Sequence, residues 1–194
     1  MARPREFDEA AVLDATVQCF WAHGYEATSV KHLMEKTGLT AASLYNAYGD
    51  KRSMFRIALD RYVDSSIAAR IQRCEALPPR AAIGSFFDDI LHRSLADRDH
   101  KGCMLVNAAL ELAPHDPEFR TLIAAALNKI EAFFLTCAEN GQADKTITRS
   151  KPASTLAQHL LGVLMGVRVL ARVRPERPLL ENTIRTALAT LDGP

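Results

Sequence analysis

One segment in the first third of the chain restricts the fold more than any other, because it predicts two short helices joined by a tight turn. The helices are expected over residues 28–37 and 40–47. Gly38, between them, tolerates the left-handed conformation in which many helices end. Thr28 and Thr40 stand at the helix starts, where a hydroxyl can accept a hydrogen bond from an otherwise unpaired backbone N–H. The segment therefore predicts a helix-turn-helix.

The second short helix has only two strong apolar anchors, Leu44 and Tyr48. Leu44 and Tyr48 are expected to pack against the core. The remaining side chains are small or form hydrogen bonds, as a surface that contacts the DNA major groove requires. They are Thr40, Ala41, Ala42, Ser43, Tyr45 and Asn46.

Several short motifs follow one another through this segment. They are Phe20, Gly24-Tyr25, Thr28-Ser29-Val30, Gly38-Leu39-Thr40, Leu44-Tyr45-Asn46-Ala47-Tyr48 and Lys51. Together they resemble the signature of the tetracycline-repressor-like (TetR/AcrR) transcriptional regulators. The motifs cover roughly the first quarter of the chain, and helix number and length are similar to the family over the rest. The resemblance implies a one-component transcriptional regulator, usually a repressor, that binds a near-palindromic operator as a homodimer and is released by an effector.

The resemblance also implies DNA-binding roles for individual residues. Thr28, Ser29 and Lys31, at the start of the first short helix, would contact phosphate, as would Tyr45 and Lys51. Helix N-termini favour anions because their backbone N–H groups point outward. Base contacts would be made by Thr40, Ala41, Ala42, Ser43 and Asn46.

The charge distribution favours the same partner. The chain as a whole has a net charge of only +1, but residues 31–56 carry five basic and two acidic side chains. Arg3 and Arg5 add a basic N-terminal arm. A solvated charged surface is the alternative interpretation without the motif. Ala47 replaces a residue that is often histidine in the family, and the recognition helix has no arginine for guanine, so DNA shape and the arm are expected to contribute to specificity.

The rest of the chain predicts an all-α fold of about nine helices, with no β-hairpin signal and no repeats. Residues 1–50 are expected to form the helix-turn-helix DNA-binding domain and residues 51–194 a helical effector-binding and dimerisation domain, with the helix over 50–74 as connector. The expected helices cover 8–23, 28–37, 40–47, 50–74, 80–97, 102–113, 117–141, 152–173 and 178–191.

The last two predicted helices, within residues 152–191, are candidates for the dimer interface. The first of them is apolar around much of its circumference, so it must be covered on several sides. Gly162 and Gly166 lie four residues apart and would allow another helix to approach closely. Burial within the monomer is one interpretation. The resemblance implies the other, a two-fold four-helix interface, and we favour it.

Cys103 is the most suggestive residue of the second domain. The sequence from Gly102 to Glu111 resembles the start of the sixth helix in one branch of the family, with Gly-Cys, Asn107 and Glu111 in place. A thiol at a helix N-terminus has a lowered pKa, which favours a reactive thiolate. Cys103 is therefore a candidate sensor of electrophiles or oxidants, although a small buried packing residue is the alternative. Asn107 and Glu111 could bind an effector or satisfy neighbouring helix ends.

The resemblance implies an effector site enclosed by the fourth to seventh helices. Phe86, Phe87 and Phe133 could form its apolar lining, although such aromatic residues are more often core. His159, on an apolar helix, could contact an effector but is more often a satisfied core histidine. A metal-responsive site formed by His92, His100 and Cys103 is a weak alternative, because no pair of ligands has close spacing. No cofactor and no resident metal are predicted.

Other classes of protein receive less support. The N-terminus lacks the apolar core of a signal peptide and no long uninterrupted apolar run is present, so a cytoplasmic protein without a membrane span is expected. The four cysteines form no CxxC pair, which favours reduced thiols. A small helical enzyme or carrier is the competing hypothesis, but no phosphate-binding loop, nucleophile elbow or metal-ligand spacing supports it. A purely structural dimerisation module is the third.

Overall fold

Nine helices account for the regular structure of residues 8–192, the part of the chain that this computed structural model describes. No strand occurs within those residues, so the predicted all-α fold is confirmed. Arg3 and Arg5, the predicted basic arm, lie outside the described residues. The helices are α1 (Glu9–His23), α2 (Val30–Thr37), α3 (Ala41–Tyr48), α4 (Lys51–Tyr62, continuing through Val63–Ala68 and Ala69–Glu75), α5 (Pro79–Ala96), α6 (Met104–Glu111), α7 (Pro117–Ala143), α8 (Ala153–Val173) and α9 (Arg177–Ala189).

The helix-turn-helix is formed by α2 and α3, and its first N-cap differs from the prediction. Ser29, not Thr28, caps α2: its hydroxyl accepts from the backbone N–H of His32, and the His32 side chain accepts from the N–H of Ser29. Thr28 is completely buried, and its hydroxyl donates to the carbonyl of Gly24. Serine and threonine are both favoured N-cap residues. Thr28 does not act as the cap because it is buried and its hydroxyl is bonded to Gly24.

The turn and the second helix match the sequence. Gly38 follows α2 with φ of 72°, in the left-handed region. Thr40 caps α3 by accepting from the N–H of Ser43. Leu44 is completely buried, and the half-buried Tyr48 packs against the core. The predicted packing roles of Leu44 and Tyr48 are therefore confirmed.

Helix α4 runs without interruption from the helix-turn-helix end into the second half of the molecule. Asp50 caps it by accepting from the N–H of Ser53. Its middle section, Val63–Ala68, is π-helical, while the flanking sections Lys51–Tyr62 and Ala69–Glu75 are α-helical. A π-helical turn accommodates extra residues and therefore changes which side chains share a face.

Helices α5, α7 and α8 enclose the core of the second half. Four phenylalanines from α5 and α7 meet there, with the rings of Phe87 and Phe134 stacked at 5.7 Å. Phe86 contacts Phe133 and Phe134, at ring-centroid distances of 5.4 and 5.2 Å. Such ring pairs add to the stabilisation that apolar burial already provides. Helix α9 packs against α8 and α5.

By length and composition alone, α7 and α8 could each cross a membrane, although no such segment was predicted. The sequence has no uninterrupted apolar run, because isolated polar residues interrupt both helices. These few residues do not make either helix polar overall, so both remain apolar in average composition. Core helices of water-soluble proteins have the same composition. Both helices pack here against other helices through buried residues such as Ile130, Phe134, Leu160 and Leu164.

Candidate DNA interface and effector junction

The exposed face of α3 carries most of the predicted DNA-reading residues. Tyr45 is 45% exposed, which separates it from the buried Leu44 beside it. Ala42, Asn46 and Ala47 are exposed on the same helix. A short helix with small, exposed side chains and one exposed tyrosine fits closely against a DNA groove.

Thr40 and Ser43 are engaged with each other at the start of α3. Their hydroxyl oxygens lie 3.0 Å apart, and the Thr40 hydroxyl also accepts from the N–H of Ser43 at 3.2 Å. Ala41 and Ser43 are half-buried, while Thr40 is exposed. A DNA contact by Thr40 or Ser43 would therefore use a hydroxyl that is already hydrogen-bonded at the start of α3.

The predicted phosphate-binding residues lie in different surroundings. Ser29 and Lys31 are exposed at the start of α2, and Lys31 lies 3.8 Å from Glu35. Thr28 is buried and its hydroxyl donates to the Gly24 carbonyl, so the phosphate contact predicted there depends on the backbone N–H groups at the start of α2. The Lys51 ammonium donates to the carbonyl of Glu26 at 3.2 Å.

Arg52 does not belong to the basic DNA-facing surface that the charge count suggested. Its guanidinium forms a two-pronged pair with Asp116, the N-cap of α7, and a further hydrogen bond of 2.7 Å to Glu118. The Arg52 guanidinium also keeps the pKa of Asp116 below its ordinary value. Arg52 thus connects α4 to α7, because local charge does not reveal which way a side chain points.

The carbonyl of Gly102 is a junction between the DNA-binding end and the rest of the molecule. It accepts from the indole Nε1 of Trp21, on α1, at 3.2 Å. It also accepts from the guanidinium of Arg168, on α8, at 2.7 Å. Gly102 has φ of +70°, a conformation that suits glycine. One backbone oxygen therefore joins α1 to α8.

Glu111, at the other end of α6, makes a second connection. Its carboxylate accepts from the backbone N–H groups of Tyr25, at 3.0 Å, and Glu26, at 2.7 Å. The Asn107 amide donates to the carbonyl of Lys101 at 2.9 Å. The sequence left open whether Asn107 and Glu111 bind an effector or neighbouring backbone groups. In the structure both side chains form hydrogen bonds with backbone groups. Helix α6 consequently contacts the DNA-binding end at both of its own ends.

Cys103 is the N-cap residue of α6 and is only 8% exposed. The Tyr62 hydroxyl donates to its Sγ at 3.5 Å. Burial by itself would raise the pKa of the thiol. The Arg168 guanidinium, the Tyr62 hydroxyl and the N–H groups of Val106 and Leu105 outweigh burial and lower the pKa of Cys103.

The other three thiols behave in the opposite way. Cys137 has the same exposure as Cys103, but burial, with smaller effects of Cys74 and Glu75, raises its pKa to about 11. Burial also raises the pKa values of Cys19 and Cys74. Cys103 is therefore the one thiol among the four whose surroundings favour the thiolate.

The predicted effector-pocket residues do not share one cavity. Phe86 and Cys103 line a small interior cavity of about 20 Å³. Phe133 instead lines a groove of about 540 Å³ between α4 and α7. Phe87 is completely buried, and His159 lies on the exposed face of α8. Within residues 8–192, no group of three or more His, Cys, Asp or Glu side chains is placed to hold a metal ion.

Sequence reasoning missed the residues that surround Cys103. Arg168 is 7% exposed, and its Nε has no hydrogen-bond partner among the described residues. Tyr62 and Arg70 are buried nearby and line the same small cavity. Arg168, one of two arginines in the largely apolar α8, was the available signal, since a buried charge requires compensating partners.

The arrangement as a whole defines a class of protein. A three-helix bundle with an exposed second helix-turn-helix helix, joined to a larger helical domain, is that of a DNA-binding transcriptional regulator. The model for bacterial regulatory proteins of the tetR family matches residues 12–57. The tetracyclin repressor-like C-terminal domain matches residues 79–187. The chain belongs to this family, whose members bind operator DNA as dimers and respond to small-molecule effectors.

Known proteins resemble the chain over almost its entire length. The uncharacterized HTH-type transcriptional regulator YezE of Bacillus subtilis (strain 168) is 30% identical over 99% of this chain and 100% of its own. The HTH-type transcriptional repressor ComR of Escherichia coli (strain K12) is also 30% identical, over 97% of this chain and 90% of its own. A cysteine-substituted form of the TetR family regulator CifR, solved with a 26-bp double-strand operator DNA, is 28% identical, with a TM-score of 0.87 over 98% of this chain and 100% of CifR.

Proposed function

We propose that this protein is a cytoplasmic, non-enzymatic repressor that leaves its operator when an effector acts at the junction around α6. The exposed face of α3 carries this proposal, because that face is free to enter a major groove. Residues 1–50 are the DNA-binding domain, residues 51–194 are the effector-binding and dimerisation domain, and α4 connects them. Repression is favoured because ComR, the similar E. coli protein, is a repressor.

The DNA contacts follow the exposed residues. Ala42, Tyr45 and Asn46 are the strongest candidates, since they are exposed on α3. Tyr45 donates to phosphate, and Asn46 can pair with adenine through two hydrogen bonds. The other base contacts are assigned to Thr40, Ala41 and Ser43, and the other phosphate contacts to Ser29, Lys31 and Lys51.

The dimer forms through α8 and α9. Val169 and Val173 on α8 are 42% and 69% exposed in the single chain. A Cβ atom added at Gly162 or Gly166 would meet no atom within 4 Å, so the face between them is open. A second copy covering this apolar face presents two α3 helices to successive major grooves, and the operator is near-palindromic.

Release begins at Cys103. Covalent modification of its thiolate adds atoms next to a cavity of only about 20 Å³, so Tyr62, Arg168 or α6 must move. Movement of α6 acts on Trp21 through Gly102 and on the loop at Tyr25 through Glu111. The CifR structure with operator DNA carries cysteine substitutions, which is consistent with a role for thiols in such a regulator.

Binding to DNA from upstream of the protein's own gene tests the proposal. It is measured at several salt concentrations, before and after iodoacetamide, for wild type, Cys103→Ser and Cys137→Ser. A regulator loses affinity steeply as salt rises. Iodoacetamide should release wild type and Cys137→Ser and leave Cys103→Ser bound. Release of all three would remove Cys103 as the sensor, and absence of specific binding at any salt would favour the enzyme, carrier or dimerisation-module hypotheses.

A further inference from the structure

A second and larger cavity lies beside the junction, and its wall is unusually rich in cations. It measures about 470 Å³ and is lined by Trp21 of α1, Tyr62, Ser66 and Arg70 of α4, the end of α5, the loop after it, and Arg168 of α8. Five cationic and two acidic side chains contribute to the wall. The cations are Arg70, Arg93, Arg98, Lys101 and Arg168.

The acidic groups near the cavity already have partners. Asp97 accepts from the backbone N–H of Gly102 at 3.1 Å, and Asp99 pairs with Lys101 at 3.7 Å. Asp89, outside the cavity wall, is shared by Arg70, Arg73 and Arg93. Neither Arg98 nor Arg168 pairs with a carboxylate within residues 8–192. Positive charge therefore exceeds negative charge at this site.

Arg168 is one of the two buried cations of this wall and, unlike Arg70, it pairs with no carboxylate among the described residues. Its guanidinium donates to the Ser94 hydroxyl at 3.0 Å and to the Gly102 carbonyl at 2.7 Å, both neutral acceptors. Its Nε is buried and has no partner among the described residues. Among the described residues the ionisable groups beside this guanidinium are the Cys103 thiol and the Tyr62 hydroxyl, and neither occupies its Nε, so an added anion can complete the site. A carboxylate suits a guanidinium because both are planar and can form two parallel hydrogen bonds.

Two aromatic side chains also contribute to the wall, beside Ser66, Ser94, Ala96 and Gly102. Trp21 and Tyr62 meet edge to face at a ring-centroid distance of 5.2 Å and both line the cavity. A flat apolar group could pack against these rings. We infer that this cavity binds a small aromatic carboxylate, with its carboxylate on Arg168 and Arg98 and its ring against Trp21 and Tyr62.

Such a ligand has a direct effect on the DNA-binding end. Its carboxylate competes with the Gly102 carbonyl for the Arg168 guanidinium, and the same carbonyl holds the indole of Trp21. This effect on DNA rests on the proposed function, whereas binding itself does not. Binding requires no thiol chemistry, although Arg168 and Tyr62 lie beside both the ligand site and the Cys103 thiol.

Trp21 is the only tryptophan in the chain, so the tryptophan fluorescence reports on the wall of this cavity and on its hydrogen bond to Gly102. The full-length protein is titrated with benzoate and with benzamide, a neutral molecule of nearly the same shape. Benzoate should give a saturable change below about 10 mM, and benzamide should bind about tenfold more weakly or not at all. Cys103→Ser removes the thiolate that shares the Arg168 guanidinium, so this variant should bind benzoate at least as tightly as wild type does.

Two arginine variants and a control locate the anion. Arg168→Met should weaken benzoate binding about tenfold or more, and the exposed Arg98→Met, which leaves the interior unchanged, about two- to fivefold. Arg73→Met removes the same charge outside the cavity wall and should bind normally. Equal affinity for benzamide, unchanged affinity in both cavity variants, or no saturable change with benzoate would each overturn the site. Benzoate binding without release from operator DNA would keep the site and reject its coupling to the proposed function.

Discussion

The two polar regions of this molecule differ in how their residues are held. On α3 most of the polar side chains are exposed, and Thr40 and Ser43, three residues apart, are hydrogen-bonded to each other. At the Gly102 junction the partners lie far apart in sequence, 66 residues for Arg168 and Gly102 and 86 for Glu111 and Tyr25. The first region is organised by local sequence and the second by the tertiary fold. Substitutions of the exposed α3 side chains that neither cap nor pack, such as Tyr45 and Asn46, should therefore affect DNA binding alone. Substitutions at the junction should affect both stability and the coupling between the two halves of the molecule.

The largest effect is expected from a negative charge on α3. Ala47→Glu places a carboxylate on an exposed position of the DNA-facing helix, where phosphate repels it. Operator affinity should fall more than about a hundredfold, while the dimer and its unfolding transition remain unchanged. Ala81→Glu, the same change on an exposed position of α5, is the control. Retained operator binding by Ala47→Glu would discard the proposed docking.

Loss of Glu111 should lower the stability of the fold and also weaken the coupling between thiol modification and DNA release. Glu111→Ala leaves the backbone N–H groups of Tyr25 and Glu26 without their carboxylate, which should lower the free energy of unfolding by about 1–3 kcal/mol. It should also weaken the release of operator DNA by iodoacetamide. Urea denaturation and DNA release measure the two effects, with Glu111→Gln as the conservative variant. Unchanged stability and normal release would mean that this connection transmits nothing.

The two equally exposed cysteines should differ in how alkylation depends on pH. The lowered pKa of Cys103 makes its thiolate available at lower pH than that of Cys137, whose pKa is raised to about 11. At neutral pH Cys103 should react with iodoacetamide first, and Arg168→Met should slow that reaction about tenfold. Mass spectrometry of the alkylated peptides gives both rates. Faster reaction of Cys137 would contradict the assigned electrostatics.

The same pKa shifts fix the sign of their effects on stability. The fold favours the thiolate form of Cys103. Its contribution to the free energy of unfolding is therefore present above the pKa of the unfolded thiol and is lost as pH falls through the lower pKa of the folded state. The neutral thiol of Cys137 is favoured, so its contribution is lost as pH rises from the ordinary thiol value of 9.0 to about 11. Cys137→Ser should remove the second dependence.

The smallest effects are expected when one glycine in each of the two regions is replaced by alanine. Gly38, in the helix-turn-helix, and Gly102, at the junction, have nearly equal φ values of 72° and 70°. An alanine at either position adds backbone strain of about 1 kcal/mol. Only at Gly102 would the new Cβ approach other atoms, 3.4 Å from the Arg172 side chain. Thermal unfolding should therefore show a larger loss of stability for Gly102→Ala than for Gly38→Ala. Equal losses would mean that the Arg172 side chain moves away from the new Cβ without cost.

The sequence was most informative where structure depends on neighbours in the chain. The helix-turn-helix, the turn at Gly38 and the anchors Leu44 and Tyr48 follow from periodicity and capping. The same rules failed at Thr28, because two adjacent residues suited the cap and only tertiary burial distinguishes them.

The junction could be predicted only in part. Cys103 was identifiable from its place at a helix start. The partners that lower its pKa come from α4 and α8, and periodicity does not specify which helices meet. For the same reason Arg52 was counted with the basic DNA-facing surface, although it pairs with Asp116 on α7.

The π-helical section of α4 holds more residues than an α-helix needs for the same rotation. A π-helical turn contains about one residue more than an α-helical turn, so a chain shorter by one residue within Val63–Ala68 would form an ordinary α-helix there, with little rotation of the residues beyond it. Tyr62 before this section, Ser66 within it and Arg70 after it line one cavity. Such a shorter chain would keep Tyr62 and Arg70 at the cavity wall and would change the side chain that lies between them. Two relatives that differ in length here would thus share the two ends of this helix and differ in the lining of the cavity.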